Sequence, residues 1–216
     1  MYKNVIFDLD GTLMDTLDDI KDAMNEALKR IGHPYTFTYE EAKKLIGSGA
    51  RVMIERAIYY GGANPSDVDK LGETFLPLYK EYQGKTTKPY DGMIEVMKIL
   101  KERGYKLYIL TNKPQHLMNV LVNNFFIDYL DGYQGQVDSM PCKPDVKFTN
   151  YMLDRYNLNK EECIFVGDSN IDVLVGKNAC MDTVLCLYGY GDEATKNDTY
   201  PKYKIESPLD LLKILD

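Results

Sequence analysis

The chain has 216 residues, 44% of them hydrophobic and 27% charged, which places it among ordinary globular proteins rather than disordered ones. A net charge of −7 and a pI near 5.0 argue against electrostatic binding of nucleic acid. No apolar stretch approaches the roughly 20 residues of a membrane span, and the N-terminus has no signal-peptide core, so neither membrane nor secretion is expected and the protein reads as cytoplasmic. Cys142, Cys163, Cys180 and Cys186 have no C-x-x-C spacing. Three of them sit among apolar residues and read as reduced core thiols, not metal ligands.

In chain order, the first predicted strand is Val5-Ile6-Phe7, which ends in Asp8, Leu9, Asp10 and Gly11. Side chains alternate along an extended backbone, so both carboxylates fall on one side. At about 4 Å they repel by roughly 4 kcal/mol at an effective dielectric near 20. A bound cation, a shared proton or full hydration must offset that repulsion. From about 17 to 87 only helical patterns occur, over 18–31, 39–45, 50–60 and 65–82. This block reads as a separate all-helical cap domain, 16–85, inserted into a core made of 1–15 and 86–216, with hinges at 14–17 and 84–89. Apolar runs then return at 105–111, 163–168 and 182–189, separated by helical patterns at 93–103, 115–124, 145–156 and 171–179. Strands buried on both faces and alternating with helices predict an α/β fold, a doubly wound parallel-sheet (Rossmann-like) core. Ligands bind such sheets at the carboxyl ends of the strands, where Asp8, Thr111 and Asp168 stand.

Asp168 and Asp172 lie four apart at a strand-to-helix junction, so both can face one site, with no basic partner nearby in sequence. Hard oxygen donors of this kind suit Mg²⁺. Helix capping by Asp168 or Ser169 is the plainer role and is compatible with the first.

Four motifs occur in order: F-D-L-D-G-T-L at 7–13, L-T-N-K at 110–113, C-K-P-D at 142–145 and V-G-D-S-N-I-D at 166–172. Together they resemble the haloacid dehalogenase superfamily, specifically its phosphatases with a helical cap after strand one. The resemblance implies that Asp8 is a nucleophile forming an aspartyl-phosphate and that Asp10 is the general acid and base. It implies catalytic roles for Thr111 and Lys143, and substrate contacts from Gly11, Thr12 and the amide of Asn112. Pro144 is expected to start the following helix. Mg²⁺ is expected on Asp8, Asp168 and the carbonyl of Asp10, with Asp172 joining through water or Lys143. Four carboxylates and a phosphate dianion outweigh Mg²⁺ and Lys143, so a proton on Asp10 is expected to reduce the excess, with amide dipoles at helix N-termini compensating further.

Residues 44–57, 87–92 and 187–191 are similar to the phosphoglycolate phosphatase branch. Gly47, Ser48 and Gly49 would offer bare amides at a helix start to a small carboxylate, with Arg51 adding charge. The same glycines equally suit an ordinary connector between helices. The branch's Gly-Gly-Asp is here Gly135-Gln136-Val137-Asp138, and Ala179-Cys180-Met181 stands where an Ala-Gly pair is usual. The expected function is a Mg²⁺-dependent phosphohydrolase for a small phosphorylated substrate, phosphoglycolate foremost, acting as a monomer or weak homodimer. A phosphosugar mutase or pyrophosphatase on the same scaffold is the alternative. A phosphoacceptor switch is disfavoured by Asp10 and by the helical insertion.

Overall fold

The computed structural model describes residues 1–216. The apolar N-terminal run forms β1 (Asn4–Phe7), buried throughout. A tight loop follows, in which the amides of Thr12, Leu13 and Met14 all donate to the Leu9 carbonyl. Gly11 takes φ +87° there, a left-handed value that glycine adopts without a Cβ clash. β2 (Met14–Asp15) leads to four helices: α1 (Leu17–Arg30), α2 (Tyr39–Lys43), α3 (Ala50–Gly61) and α4 (Val68–Tyr82). The chain returns through β3 (Lys88–Pro89), which pairs with β2 in a two-stranded ribbon.

Beyond it, helices and strands alternate as α5 (Met93–Glu102), β4 (Lys106–Pro114), α6 (Gln115–Phe125), β5 (Gly132–Gln136) and α7 (Val146–Arg155). The chain continues with β6 (Cys163–Gly167), α8 (Asn170–Ala179), β7 (Asp182–Cys186), α9 (Glu193–Lys196), β8 (Tyr203–Ile205) and α10 (Leu211–Ile214). Six strands form one parallel sheet in the order β5-β4-β1-β6-β7-β8. Strand alternation sends Val5, Phe7, Ile109 and Val166 to one apolar face, with Met97 and Leu121, and sends Ile6, Leu110 and Phe165 to the other, with Phe148 and Met152.

The chain divides into two compact units, Met1–Met14 with Pro89–Asp216, and Asp15–Lys88. In the second, α1 buries Leu17, Ile20, Met24, Ala27 and Leu28 at helical spacing and packs on α4, which buries Leu71, Phe75 and Leu78. No helix is long and apolar enough to cross a membrane.

Three expectations change. Pro144 precedes the first turn of α7, which Asp145 caps by accepting from the Lys147 amide. Of the cysteines, all free, only Cys163 and Cys186 are buried; Cys142 is half-buried and Cys180 exposed. The sheet also has two strands beyond the four read from sequence, β5 and β8, one at each edge.

Candidate active site

β1 lies between β4 and β6, so Asp8 leaves the middle of the sheet with a neighbouring strand end on either side. On one side the pairing of β4 with β5 shifts register between Leu110 and Pro114. Such irregularities re-aim side chains, and this one carries Thr111, Asn112 and Lys113. On the other side Asp168 follows β6, and Asp172 sits in the first turn of α8. Lys143 enters from the loop before α7. Asp8, Thr111, Asn112, Lys113, Lys143, Asp168 and Asp172 are all buried.

Each carboxylate of the N-terminal pair has its own lysine. Lys143 Nζ lies 2.8 Å from Asp8 Oδ1 and 2.8 Å from Asp172 Oδ1. Lys113 Nζ lies 2.9 Å from Asp10 Oδ1 and 3.3 Å from Asp10 Oδ2. The sequence leads to the expectation that Mg²⁺ and a proton settle the pair and that Asp172 joins through water or Lys143. The fold also brings a lysine to each half of the pair, and Lys143 does reach Asp172. Lys113 was missed as a functional residue, although L-T-N-K contained it. It stands two residues after Thr111, the spacing that returns a side chain to the same face of a strand.

Supporting contacts fix these groups. The Asn112 side chain clamps the backbone of Lys143, accepting from its amide at 2.7 Å and donating to its carbonyl at 3.0 Å. Thr111 Oγ1 accepts from the Lys113 amide at 3.2 Å. Thr12, expected on substrate, donates its hydroxyl to Asp168 Oδ1 at 2.8 Å. The Tyr190 amide donates to Asp168 Oδ2 at 2.8 Å. That loop approaches so closely that a Cβ on Gly189 would lie 2.3 Å from Asp168 Cβ, and one on Gly191 2.3 Å from the Asp168 carbonyl oxygen. A Cβ on Gly11 would meet Asp168 Oδ2 at 2.4 Å. The Gly-Tyr-Gly run of 189–191 is thus the sequence signal for a backbone passing over Asp168. Asp172 closes a capping box with Ser169 and accepts from the Asp168 and Ser169 amides, so its second oxygen is occupied at the helix start.

Carboxylate oxygens of Asp8, Asp168 and Asp172 lie within 4.8 Å of one another, an all-oxygen set able to hold a hard divalent cation. Asp8 Oδ1 is buried and faces the ammonium of Lys143 at 2.8 Å. Burial pushes the Asp8 carboxyl up to about 6, against the opposing pull of Lys143 and with Asp172 adding like charge. Burial also raises Asp168 well above the usual carboxylate range, helped by Asp172 and Asp8. For Lys143 burial works against the charged form, but Asp172 and Asp8 outweigh it and drive the ammonium upward. Two buried carboxyls, Asp8 and Asp168, both pushed toward protonation by burial and by neighbouring like charge, fit a cation site. The Asp10 carboxylate, turned to Lys113, is not part of that set.

In the helical unit, Gly47 and Gly49 take φ +103° and +89°. Arg56 donates to the carbonyls of Lys44, Leu45 and Ile46 at 3.3, 3.3 and 3.2 Å, and to Ser48 Oγ at 2.9 Å. Arg51 is exposed and paired with Glu55 and Asp69. The loop is therefore organised by Arg56, a residue the sequence reading did not single out, and Arg51 is engaged within its own unit.

A family model described as haloacid dehalogenase-like hydrolase matches residues 5–186. A phosphoglycolate phosphatase of Psychrobacter arcticus is 33% identical over 86% of this chain and 84% of its own length. Another, of Mannheimia succiniciproducens, is 32% identical over 99% of this chain and 98% of its own. The crystal structure of a predicted phosphoglycolate phosphatase from Haemophilus somnus superposes with a TM-score of 0.90 at 28% identity, covering 100% of this chain and 98% of that one.

Proposed function

Because the chain belongs to the haloacid dehalogenase-like hydrolases, we propose that it is a phosphatase that hydrolyses phosphoglycolate through an aspartyl-phosphate on Asp8. The observation that carries this reading is the division of labour between the two carboxylates, Asp8 on Lys143 within the three-carboxylate set and Asp10 on Lys113 outside it. One carboxylate can then act on phosphorus while the other handles protons.

Asp8 attacks phosphorus, and the bond from phosphorus to the leaving oxygen breaks with its electron pair going to that oxygen. Asp10 supplies the proton that the departing alkoxide needs. Asp10 then takes a proton from the water that attacks the aspartyl-phosphate, releasing phosphate and restoring Asp8 as a carboxylate and Asp10 as its acid. Thr111 Oγ1, the Asn112 amide and Lys143 would hold the non-bridging phosphoryl oxygens. Asp8 and Asp168 would hold Mg²⁺ with the Asp10 carbonyl, and Asp172 would support them through Lys143. Bound there, Mg²⁺ supplies the positive charge that lets nucleophile and phosphate dianion meet. Residues 16–85 would form a cap that excludes bulk water during attack, moving about 14–17 and 84–89. Gly47, Ser48 and Gly49 would receive the substrate carboxylate.

The test is a panel of phosphomonoesters with Mg²⁺. Phosphoglycolate should be turned over with the highest kcat/KM, and Gly49→Val, folded by thermal denaturation, should lose at least tenfold in its preference for phosphoglycolate over a neutral phosphomonoester. Equal turnover across the panel would overturn the substrate assignment while leaving the phosphatase chemistry in place.

A further inference from the structure

We propose that Lys113 is the positioning residue for Asp10, fixing the direction in which that carboxylate delivers and collects protons; this rests on the reading of Asp10 as general acid and base. The ion-pair partner of Asp10 is Lys113, and both lie inside the protein, with side chains 13% and 3% exposed. Both carboxylate oxygens are within 3.3 Å of one ammonium, so the carboxylate plane is set from one side. Removing such a pair from water opposes much of its attraction, and buried ion pairs are often no better for stability than apolar residues of the same volume. Stability is therefore a poor explanation for placing this one beside a nucleophile. Orientation is a better one. Asp10 follows β1 in a loop anchored on the Leu9 carbonyl, while Lys113 arrives from the register irregularity of β4. The pair thus ties the proton carrier to the strand that bears Thr111 and Asn112. An ammonium can donate to one oxygen of the carboxyl whether or not the other carries the proton. Asp10 can then keep one direction through both halves of the cycle.

A group that orients a proton donor should matter in proportion to how much the leaving oxygen needs a proton. Phosphoglycolate expels an alkoxide and needs one. Acetyl phosphate expels a stable carboxylate and does not. In the Mg²⁺-loaded protein, Lys113→Met should lower kcat/KM for phosphoglycolate at least a hundredfold and for acetyl phosphate less than about fivefold, within the range general acids contribute. Asp10→Asn should show the same selectivity, and the double variant should add no further selectivity to it. Lys113→Gln keeps a donor toward Asp10 and should fall between; it serves if the methionine variant does not fold. If Asp10→Asn depresses both substrates alike, the acid–base reading of Asp10 fails. If Asp10→Asn is selective but the Lys113 variants depress both substrates alike, or add selectivity in the double variant, the positioning role is overturned.

Discussion

At the scale of single residues, the nucleophile role proposed for Asp8 needs it ionised, yet its surroundings favour its proton. Its folded value of about 6 lies above the roughly 4 of a free aspartate. The folded state therefore holds that proton more tightly than the unfolded chain, and Asp8 makes stability fall as pH rises from about 4 through 6. Asp8→Asn should have no measurable turnover and should stay folded. In chelator, its stability relative to the parent should grow across that window by on the order of 2 kcal/mol, read from denaturant unfolding at each pH. Mg²⁺ should narrow the gap by stabilising the parent. A gap that stays flat from pH 4 to 7 would remove burial as the source of the shift. The motif spacing made Asp8, Asp10, Asp168 and Lys143 legible. It did not reveal Asn112 clamping Lys143 or Thr12 holding Asp168, because those contacts join segments far apart in sequence.

At the scale of elements, Asp19 in the first turn of α1 is buried and accepts from the chain that returns toward β3. The donors are the Gly84 amide at 2.8 Å, the Thr86 amide and hydroxyl at 3.0 and 2.7 Å, and the Thr87 amide and hydroxyl at 3.1 and 2.7 Å. Burial alone would raise its carboxyl, but the bonds from Thr86 and Thr87 outweigh it and hold the carboxyl below the usual range. Asp19→Asn should destabilise the protein by about 1.5–3 kcal/mol, the range for hydrogen bonds to a charged group. Because the folded value is depressed, that contribution is full above about pH 4 and is lost as pH falls through the folded value. Unfolding curves of both proteins should therefore converge in acid; a difference that persists unchanged would sink the assignment. No local pattern around residue 19 points to residues 84–87. The edge strands were hidden for another reason. β5 reads Gly-Tyr-Gln-Gly-Gln and β8 is three residues long, and an edge strand has a neighbour on one side only, so continuous apolar character is not required of it. The central strands have neighbours on both sides and announce themselves.

At the scale of the molecule, the alternation of strand and helix after residue 90 and its interruption by helices before it were both readable, because each follows from periodicity alone. If the helical unit serves as a cap, beryllium fluoride with Mg²⁺ should slow amide hydrogen exchange at 14–17 and 84–89, measured by mass spectrometry. Unchanged exchange with the analogue bound would count against a mobile cap. The ribbon of β2 and β3 has a consequence of its own. The chain departs from the sheet and comes back at adjacent points, so whatever lies between is, in topological terms, a pendant loop whose length the host barely registers. β1 keeps its partners on either side regardless. An insert of another length, larger or smaller, could thus replace this one without disturbing the carboxylates that follow β1.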